Sequence, residues 1–244
     1  MLRWLFNSKK NARPLGFGGI LKRLIFLFFA WLVLYQLWIF LHICWWIKFN
    51  PTSTAFMQDR LEIIQQTKPD ATLQHKWVDY AKISNHLKRA VIASEDAKFT
   101  NHEGFDWEGI EKAYEKNLKK GKIVGGGSTI SQQLAKNLFL SSGRTPWRKA
   151  EEAVITLMLE KMLTKRRILE IYLNVIEWGN GVFGAEAAAK HYFKTSASGL
   201  GQTQSAKLAA MIPNPRFYDD HRSTRYLNRR TATIQARMRF VEVP

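Results

Sequence analysis

Cysteine is almost missing from this 244-residue chain, since Cys44 is the only one. A single thiol cannot build a disulfide framework, and without a second cysteine the six scattered histidines give no zinc-ligand spacing. The sequence therefore excludes a disulfide-stapled scaffold and a cysteine-based structural zinc site.

Acidic residues are also scarce, with 20 Asp and Glu against 37 Lys and Arg, which gives a formal net charge of +17. Six of the basic residues lie in the first 23 positions, and the remaining 221 residues still carry 31 basic and 20 acidic side chains. So strong a positive balance along the whole chain predicts an anionic partner.

One long apolar run is present, residues 24–47, LIFLFFAWLVLYQLWIFLHICWWI. As a helix it would be roughly 36 Å long, enough to cross a bilayer core of about 30 Å. The apolar part of a signal peptide is shorter, about 7 to 15 residues, and no small-residue cleavage site follows Trp45 and Trp46. The run therefore predicts a retained transmembrane helix.

The charges that flank this run differ in sign balance. Residues 1–23 contain no acid, whereas residues 48–70 mix both signs. By the positive-inside rule we expect a basic cytoplasmic N-terminus at 1–23, with the rest of the chain exported. The basic residues concerned are Arg3, Lys9, Lys10, Arg13, Lys22 and Arg23.

The exported part divides into two stretches of different character. Residues 48–78 show little periodicity and include Pro51 and Pro69, which predicts a stalk or linker. From residue 79 to 244 the apolar residues recur at helical spacing, as at Ile130, Leu134 and Leu138, and strand-like alternation is nearly absent. We therefore expect a mainly α domain over 79–244.

A glycine-rich stretch, GGGSTISQQLAKN at 125–137, precedes one of these helical patterns. Ser128 is a candidate N-cap, which would place residues 129–140 on a helix. The free N–H groups at such a helix start suit a phosphate-type anion, and Gln132, Gln133, Lys136 and Asn137 would share one side of the helix. A flexible loop before a solvated helix is an equally good interpretation of this stretch alone.

Two glutamates stand out elsewhere in the chain. Glu95, in ASEDAKFTNHEG, ends an apolar helical pattern and is a candidate general base, although a surface acidic pair explains it as well. Glu152 follows Arg148 and Lys149 by one helical turn, in a helix that Thr145 and Pro146 should start. With Arg144 this basic cluster is either a network of helix ion pairs or part of an anion site.

Taken together and in order, these motifs resemble those of the peptidoglycan glycosyltransferases of family 51, the lipid II polymerases. EDAKFTNHEG is similar to the family pattern ED-x-x-F-x-x-H-x-G, and GGGSTISQQLAKN to G-x-ST-I-x-QQ-x-x-KN. RKAEE, RRILEIYLNVIEWG and LAAMIPNPRFY are similar to three further motifs, so that the resemblance spans about residues 80–220. One departure is Gln204, where the last motif usually has glutamate.

The resemblance implies a mainly α, lysozyme-like helical catalytic domain with a small membrane-proximal jaw sub-domain, preceded by one transmembrane helix. It implies transfer of the growing lipid-linked glycan onto the N-acetylglucosamine 4-hydroxyl of lipid II. The configuration at C1 of N-acetylmuramic acid would invert, and undecaprenyl pyrophosphate would leave.

Residue roles follow from the motif positions. The resemblance implies Glu95 as the general base and Glu152 as the second catalytic residue, which protonates the leaving group or holds the basic cluster. The implied substrate-binding residues are Lys98, Ser128, Thr129, Gln132, Gln133, Lys136, Asn137, Arg144, Arg148 and Lys149. No metal ligands and no obligatory cofactor are implied, although a divalent cation, Mg²⁺ or Mn²⁺, could assist the pyrophosphate.

The implied partners are lipid II, the lipid-linked nascent glycan and the bilayer, with other cell-wall synthesis or division proteins as further candidates and no nucleic acid. The implied location is the bacterial inner membrane, single-pass, with a periplasmic catalytic domain. Two alternatives remain at this point: a lysozyme-like lytic glycosidase that acts on finished peptidoglycan, and a non-catalytic, membrane-tethered module that binds anionic polymers.

Overall fold

The computed structural model describes residues 17–122, 126–140, 143 and 145–244. The chain divides into two compact units, the first ending at Leu41 and the second running from His42 to Pro244.

Helices dominate the described residues. The α-helices in chain order are α1 Phe17–Trp45, α2 Ala55–Gln65, α3 Asn85–Glu95, α4 Trp107–Lys120, α5 Ile130–Phe139, α6 Pro146–Met162, α7 Lys165–Val175, α8 Ala185–Phe193, α9 Gln202–Met211, α10 Pro215–Asp220 and α11 Arg225–Arg237. Short 3₁₀ turns cover Tyr80–Lys82, Phe99–Asn101, Ala197–Gly199 and Met238–Phe240. The prediction of a mainly α fold is confirmed.

The apolar run forms helix α1. It contains an 18-residue window with a mean hydropathy of 2.4, and among the described residues Gly18–Trp45 is the one helix long and apolar enough to cross a membrane. The helix begins before the predicted 24–47 range, so Lys22 and Arg23 lie on its first turns, and it ends at Trp45. The other basic residues of the N-terminus, Arg3, Lys9, Lys10 and Arg13, lie outside the described residues.

The segment 48–78 is part of the second unit rather than a separate stalk. It contains α2, whose N-cap Thr54 accepts a hydrogen bond from the Met57 backbone N–H. Met57 and Arg60 are buried, and Arg60 Nε lies 3.1 Å from Glu177 Oε1. The helix is only 11 residues long, and its partly polar buried face explains why apolar periodicity does not reveal it.

Arg167 of α7 holds the residues that follow α1 within this unit. Its Nε donates to the Trp46 carbonyl at 2.9 Å, and its Nη2 donates to the Phe49 carbonyl at 2.7 Å and to Asn50 Oδ1 at 2.8 Å. The chain between the end of α1 and the start of α2 is therefore tied directly to the folded body.

The core lies between α3, α5, α7 and α9. Helix α3 packs on α9, α9 packs on α11, and α5 packs on both α6 and α7. Fully buried apolar residues include Leu87, Val91, Leu134 and Ile171. A hydrogen bond of 3.0 Å from Gln133 of α5 to Glu95 joins α5 to the C-terminal end of α3.

A small three-stranded sheet interrupts the helical pattern. Its strands are β1 Gln74–His75, β2 Glu177–Gly179 and β3 Val182–Phe183, in the order β1-β3-β2. Strand β3 pairs parallel with β1 and antiparallel with β2. Strands of two or three residues are too short to show alternation, so periodicity does not predict the sheet.

Helix α11 contains most of the arginine-rich C-terminal segment. Its buried residues Leu227, Thr231 and Ile234 lie along one face, and the helix packs on α9 and α3. The segment is therefore an integral part of the domain.

Gly184, between β3 and α8, has a backbone φ of +81°, and an added Cβ would lie 2.7 Å from the Asn174 carbonyl oxygen. We expect Gly184→Ala to lower the free energy of unfolding by about 3 kcal/mol, because the strained φ and the backbone clash act together. Gly121→Ala is the matched control, since φ is +61° there but nothing lies within 4 Å, and about 1 kcal/mol is expected. Thermal unfolding followed by circular dichroism measures both; equal shifts would contradict the clash.

Candidate active site

Glu95 and Glu152 line the same cavity, which has a volume of about 260 Å³. Glu95 comes from the end of α3 and Glu152 from the second turn of α6. The other lining residues are Ser128, Gln132, Gln133, Lys136, Ile212 and Pro213. The two glutamates that stand 57 positions apart in the sequence thus meet across one space.

Both carboxylate oxygens of Glu95 are hydrogen-bonded, and its side chain is only 10% exposed. Gln133 Nε2 donates to Oε2 at 3.0 Å, and Ser94 Oγ donates to Oε1 at 2.9 Å. Behind Gln133, Tyr172 donates its hydroxyl to Gln133 Oε1 at 2.8 Å, which fixes the amide so that its NH₂ group faces Glu95. Burial raises the pKa of Tyr172 well above its usual range, so its hydroxyl stays a donor.

Asp96 joins the end of α3 to the start of α5. Its Oδ2 accepts a hydrogen bond from the Ile130 backbone N–H at 3.0 Å, and its Oδ1 lies 2.9 Å from His102 Nε2. His102 Nδ1 in turn accepts from the Gly104 backbone N–H at 3.1 Å. Asp96 and His102 are therefore connections between elements, and they orient Glu95 from behind.

Thr129, not Ser128, caps helix α5. Thr129 Oγ1 accepts from the Gln132 backbone N–H, and Gln132 Oε1 accepts from the Thr129 backbone N–H at 3.0 Å, forming a capping box. Thr129 Oγ1 also donates to the Gly104 carbonyl at 2.7 Å. Both side chains are buried and brace the helix start, while Ser128 is exposed at the cavity rim.

The Glu152 side chain is 5% exposed, less than that of Glu95, and its partner is Lys149, one turn earlier on α6. Thr145 caps this helix by accepting from the Arg148 backbone N–H at 3.3 Å, as the sequence predicts. Lys149 itself is about half exposed, so the pair presents its carboxylate to the cavity and its ammonium group to solvent.

A second cavity of about 310 Å³ adjoins the first and shares Gln133, Lys136, Ile212 and Pro213 with it. Three cationic side chains line it, Lys136, Arg148 and Arg216. Asn137 belongs to its wall as well.

Arg148 has guanidinium nitrogens that could bind a ligand in this cavity. Its Nε and Nη1 are buried and have no hydrogen-bond partner among the residues that the structure describes. An unpaired buried guanidinium N–H costs free energy, and an anion in the cavity would remove that cost.

Glu177 forms part of the wall of this second cavity and is buried. Burial raises its pKa, and the Arg60 guanidinium, 3.1 Å away, opposes that rise, as does Arg216 at 3.8 Å. Sequence reasoning missed all three residues, because Arg60 lies in the expected stalk and the other two occupy variable positions of the motifs.

Three of the predicted binding residues that the structure describes line neither cavity, namely Lys98, Thr129 and Lys149. Lys98 is half exposed and pairs with Glu108 of α4, and it lines neither cavity. Arg144 lies outside the described residues. Among the residues that are described, no group of three or more His, Cys, Asp or Glu side chains could hold a metal ion.

The chain is similar to known proteins over almost its whole length. A family model described as Transglycosylase matches residues 60–239. The biosynthetic peptidoglycan transglycosylase of Methylobacillus flagellatus is 69% identical over 232 residues, which cover 95% of this chain and 99% of that protein. The protein of the same description from Chromobacterium violaceum is 64% identical over 228 residues, 92% of this chain and 100% of its own length.

The Arg60–Glu177 pair yields a pH prediction. Glu177 has a folded-state pKa above its usual value, so its contribution to stability is full below the unfolded pKa and is lost as pH rises through the folded one. Arg60→Met removes the main opposing charge and raises that pKa further. We expect a loss of about 3 kcal/mol in unfolding free energy at neutral pH that shrinks under acidic conditions.

Denaturant unfolding of Arg60→Met across acidic and neutral pH measures this effect. The double variant Arg60→Met/Glu177→Gln, which removes the buried charge, should recover most of the loss and its pH dependence. Arg89→Met, at an exposed arginine of α3, is the control for loss of one positive charge. A pH-independent loss in Arg60→Met would contradict the assignment.

Proposed function

The chain belongs to the transglycosylase family, as a monofunctional peptidoglycan glycosyltransferase, and from this premise we propose that it polymerises glycan chains from lipid II. The observation that carries the proposal is the placement of Glu95 and Glu152 on one cavity beside a second cavity lined by Lys136, Arg148 and Arg216. Two carboxylates serve the sugar chemistry, and the cations serve an anionic leaving group.

In the proposed step the 4-hydroxyl oxygen of the lipid II N-acetylglucosamine attacks C1 of N-acetylmuramic acid at the lipid-linked end of the growing chain. Glu95 takes the hydroxyl proton as the new C1–O bond forms. The bond from C1 to the pyrophosphate breaks, and undecaprenyl pyrophosphate leaves with the electron pair. The direct displacement inverts C1, because the acceptor hydroxyl takes the place that water has in an inverting hydrolase.

The hydrogen bonds of Glu95 suit a base. Gln133 and Ser94 donate to the carboxylate and thereby fix its orientation, while the side chain still lines the cavity. A base that is already held in one rotamer loses little conformational entropy when it contacts the acceptor hydroxyl.

Glu152 acts at the donor side in this proposal. Its ion pair with Lys149 favours the role of holding the basic cluster at the start of α6 over that of a proton donor to the leaving group. Asn137, on α5, lines the second cavity and is the proposed neutral contact to the donor.

The second cavity is the proposed pyrophosphate site. Lys136 and Arg148, together with the rim residue Ser128, would stabilise the charge that develops on the departing pyrophosphate. If Mg²⁺ or Mn²⁺ assists the reaction, it would enter the site bound to the pyrophosphate.

The proposed location is the bacterial inner membrane, with α1 as a single-pass anchor, the N-terminus in the cytoplasm and the catalytic unit in the periplasm. Helix α4 is the proposed membrane-proximal jaw, because it has no buried residues and exposes Trp107, Tyr114 and Leu118 among lysines. Other cell-wall synthesis or division proteins are the proposed partners, and the exported topology argues against nucleic acid.

The basic cavity also separates this proposal from a lytic glycosidase. A lytic enzyme acts on finished glycan, whose cleaved bond carries no pyrophosphate. Such an enzyme has no use for Arg148, whose buried Nε and Nη1 have no hydrogen-bond partner among the described residues. A binding module for anionic polymers would need the cations but not two glutamates on one cavity.

Glu95→Gln tests the base assignment. The amide keeps the shape of the carboxylate but cannot accept the hydroxyl proton, so we expect polymerisation of labelled lipid II to fall by at least about 100-fold. Glu103→Gln, at an exposed glutamate paired with Lys161, is the matched control and should keep wild-type activity. Near-normal glycan synthesis by Glu95→Gln would sink the assignment.

Arg148→Met tests the pyrophosphate site. Loss of the guanidinium should weaken binding of a prenyl pyrophosphate by about tenfold or more, because charge-assisted hydrogen bonds are worth about 1.5–3 kcal/mol. Lys136→Ala should act in the same direction. Binding measured by calorimetry with the full chain gives the answer, and Arg229→Met at an exposed arginine controls for net charge. Unaltered binding in Arg148→Met would count against the site.

A further inference from the structure

Helix α11 brings a positive charge to Glu95. Arg230 Nη2 lies 3.6 Å from Glu95 Oε1 and donates a hydrogen bond to Ser94 Oγ at 3.1 Å. Ser94 in turn donates to the same Glu95 oxygen. Arg230 therefore contacts Glu95 both directly, as an ion pair, and through the Ser94 hydroxyl.

The packing of α11 against the core fixes the position of Arg230, so that its side chain is not a freely moving surface group. It follows Leu227 and precedes Thr231 and Ile234, which are buried where α11 packs on α9 and α3. Its side chain is 28% exposed, and its Nε is buried with no partner within the described part of the chain. A guanidinium placed in this way loses little freedom in forming the pair, unlike a typical surface ion pair.

The other charged and titratable groups near Glu95 give Arg230 a distinct role. From the described elements that pack around it, these groups are Asp96 at the C-cap of α3, Lys136 on α5, Glu152 with Lys149 on α6 and Tyr172 on α7. Lys136 lies on the cavity side and Lys149 pairs with the other glutamate. Arg230 forms an ion pair with Glu95 and does not line the cavity.

We infer that Arg230 is a positioning residue for the glycosyl transfer, which places a positive charge beside the Glu95 carboxylate and holds that carboxylate turned toward the acceptor hydroxyl. The inference rests on the proposed role of Glu95 as the base. A positive charge favours the ionised form of a carboxylate next to it, and removal of Arg230 takes that charge away.

The arrangement also provides for the charge change in the reaction. When Glu95 accepts the proton of the acceptor hydroxyl, its carboxylate becomes neutral and the ion pair with Arg230 weakens. The guanidinium keeps its hydrogen bond to Ser94 Oγ, which holds it in place until the proton leaves Glu95 for solvent. The same geometry is then ready for the next transfer.

The experiment is the pH dependence of lipid II polymerisation by the full chain in detergent or liposomes. Arg230→Met removes the charge and the hydrogen bond, Arg230→Gln removes the charge but keeps a donor, and Arg230→Lys keeps the charge. We expect the acidic limb of the profile to move to higher pH by about one unit in the Met and Gln variants. On that limb the rate then falls about tenfold, the difference closes at alkaline pH, and the Lys variant keeps the wild-type limb.

Arg229→Met is the matched control, because it removes the neighbouring exposed arginine of the same helix and should leave the profile unchanged. If Arg230→Met fails to fold, as judged by circular dichroism, the Gln and Lys variants carry the comparison. A loss of activity that is uniform over pH in the charge-removing variants, or an unshifted limb, would overturn the inference.

The result is separable from a failure of the proposed function. If Glu95→Gln remains active, the base assignment itself fails. If Glu95→Gln is inactive while Arg230→Gln has the wild-type pH profile, only the role of Arg230 is refuted.

Discussion

The buried carboxylate of Asp96 is the contact on which the rest of the site depends. One of its oxygens accepts the Ile130 backbone N–H at the start of α5, and the other is paired with His102. A buried charge is tolerated only when it is paired and hydrogen-bonded, so α3 and α5 are held in a single register at this point. This arrangement of the two helices places Glu95 beside Gln133, and Gln133 and Lys136 of α5 line both cavities.

Each glutamate of the first cavity forms an ion pair, Glu95 with Arg230 and Glu152 with Lys149. The second cavity has the opposite balance, since Arg148 lacks a partner for two of its N–H groups among the described residues. The first cavity is thus lined by carboxylates that are paired with cations, and the second by Arg148, which could bind an anion. This division matches a reaction in which a hydroxyl loses a proton on one side while a pyrophosphate gains charge on the other.

Features that depend on neighbouring residues can be predicted from the sequence, whereas features that depend on contacts between distant parts of the chain cannot. The membrane helix, the helical domain and the Thr145 cap follow from local patterns, and the meeting of Glu95 with Glu152 follows from the resemblance. The cap of α5 lies one residue later than expected, because the Thr129 hydroxyl and the Gln132 side chain form a reciprocal pair that a lone serine cannot match. Arg230 escaped notice because its meaning comes only from the packing of α11 on α3, a contact between residues 136 positions apart.

The most direct test of the account is the fate of labelled lipid II given to the purified full chain in liposomes, with intact peptidoglycan sacculi as a parallel substrate. The account predicts that lipid II is consumed, that a lipid-linked glycan polymer forms with inverted configuration at each new C1, and that undecaprenyl pyrophosphate is released while sacculi keep their length. Shortened sacculi with lipid II left intact would contradict it.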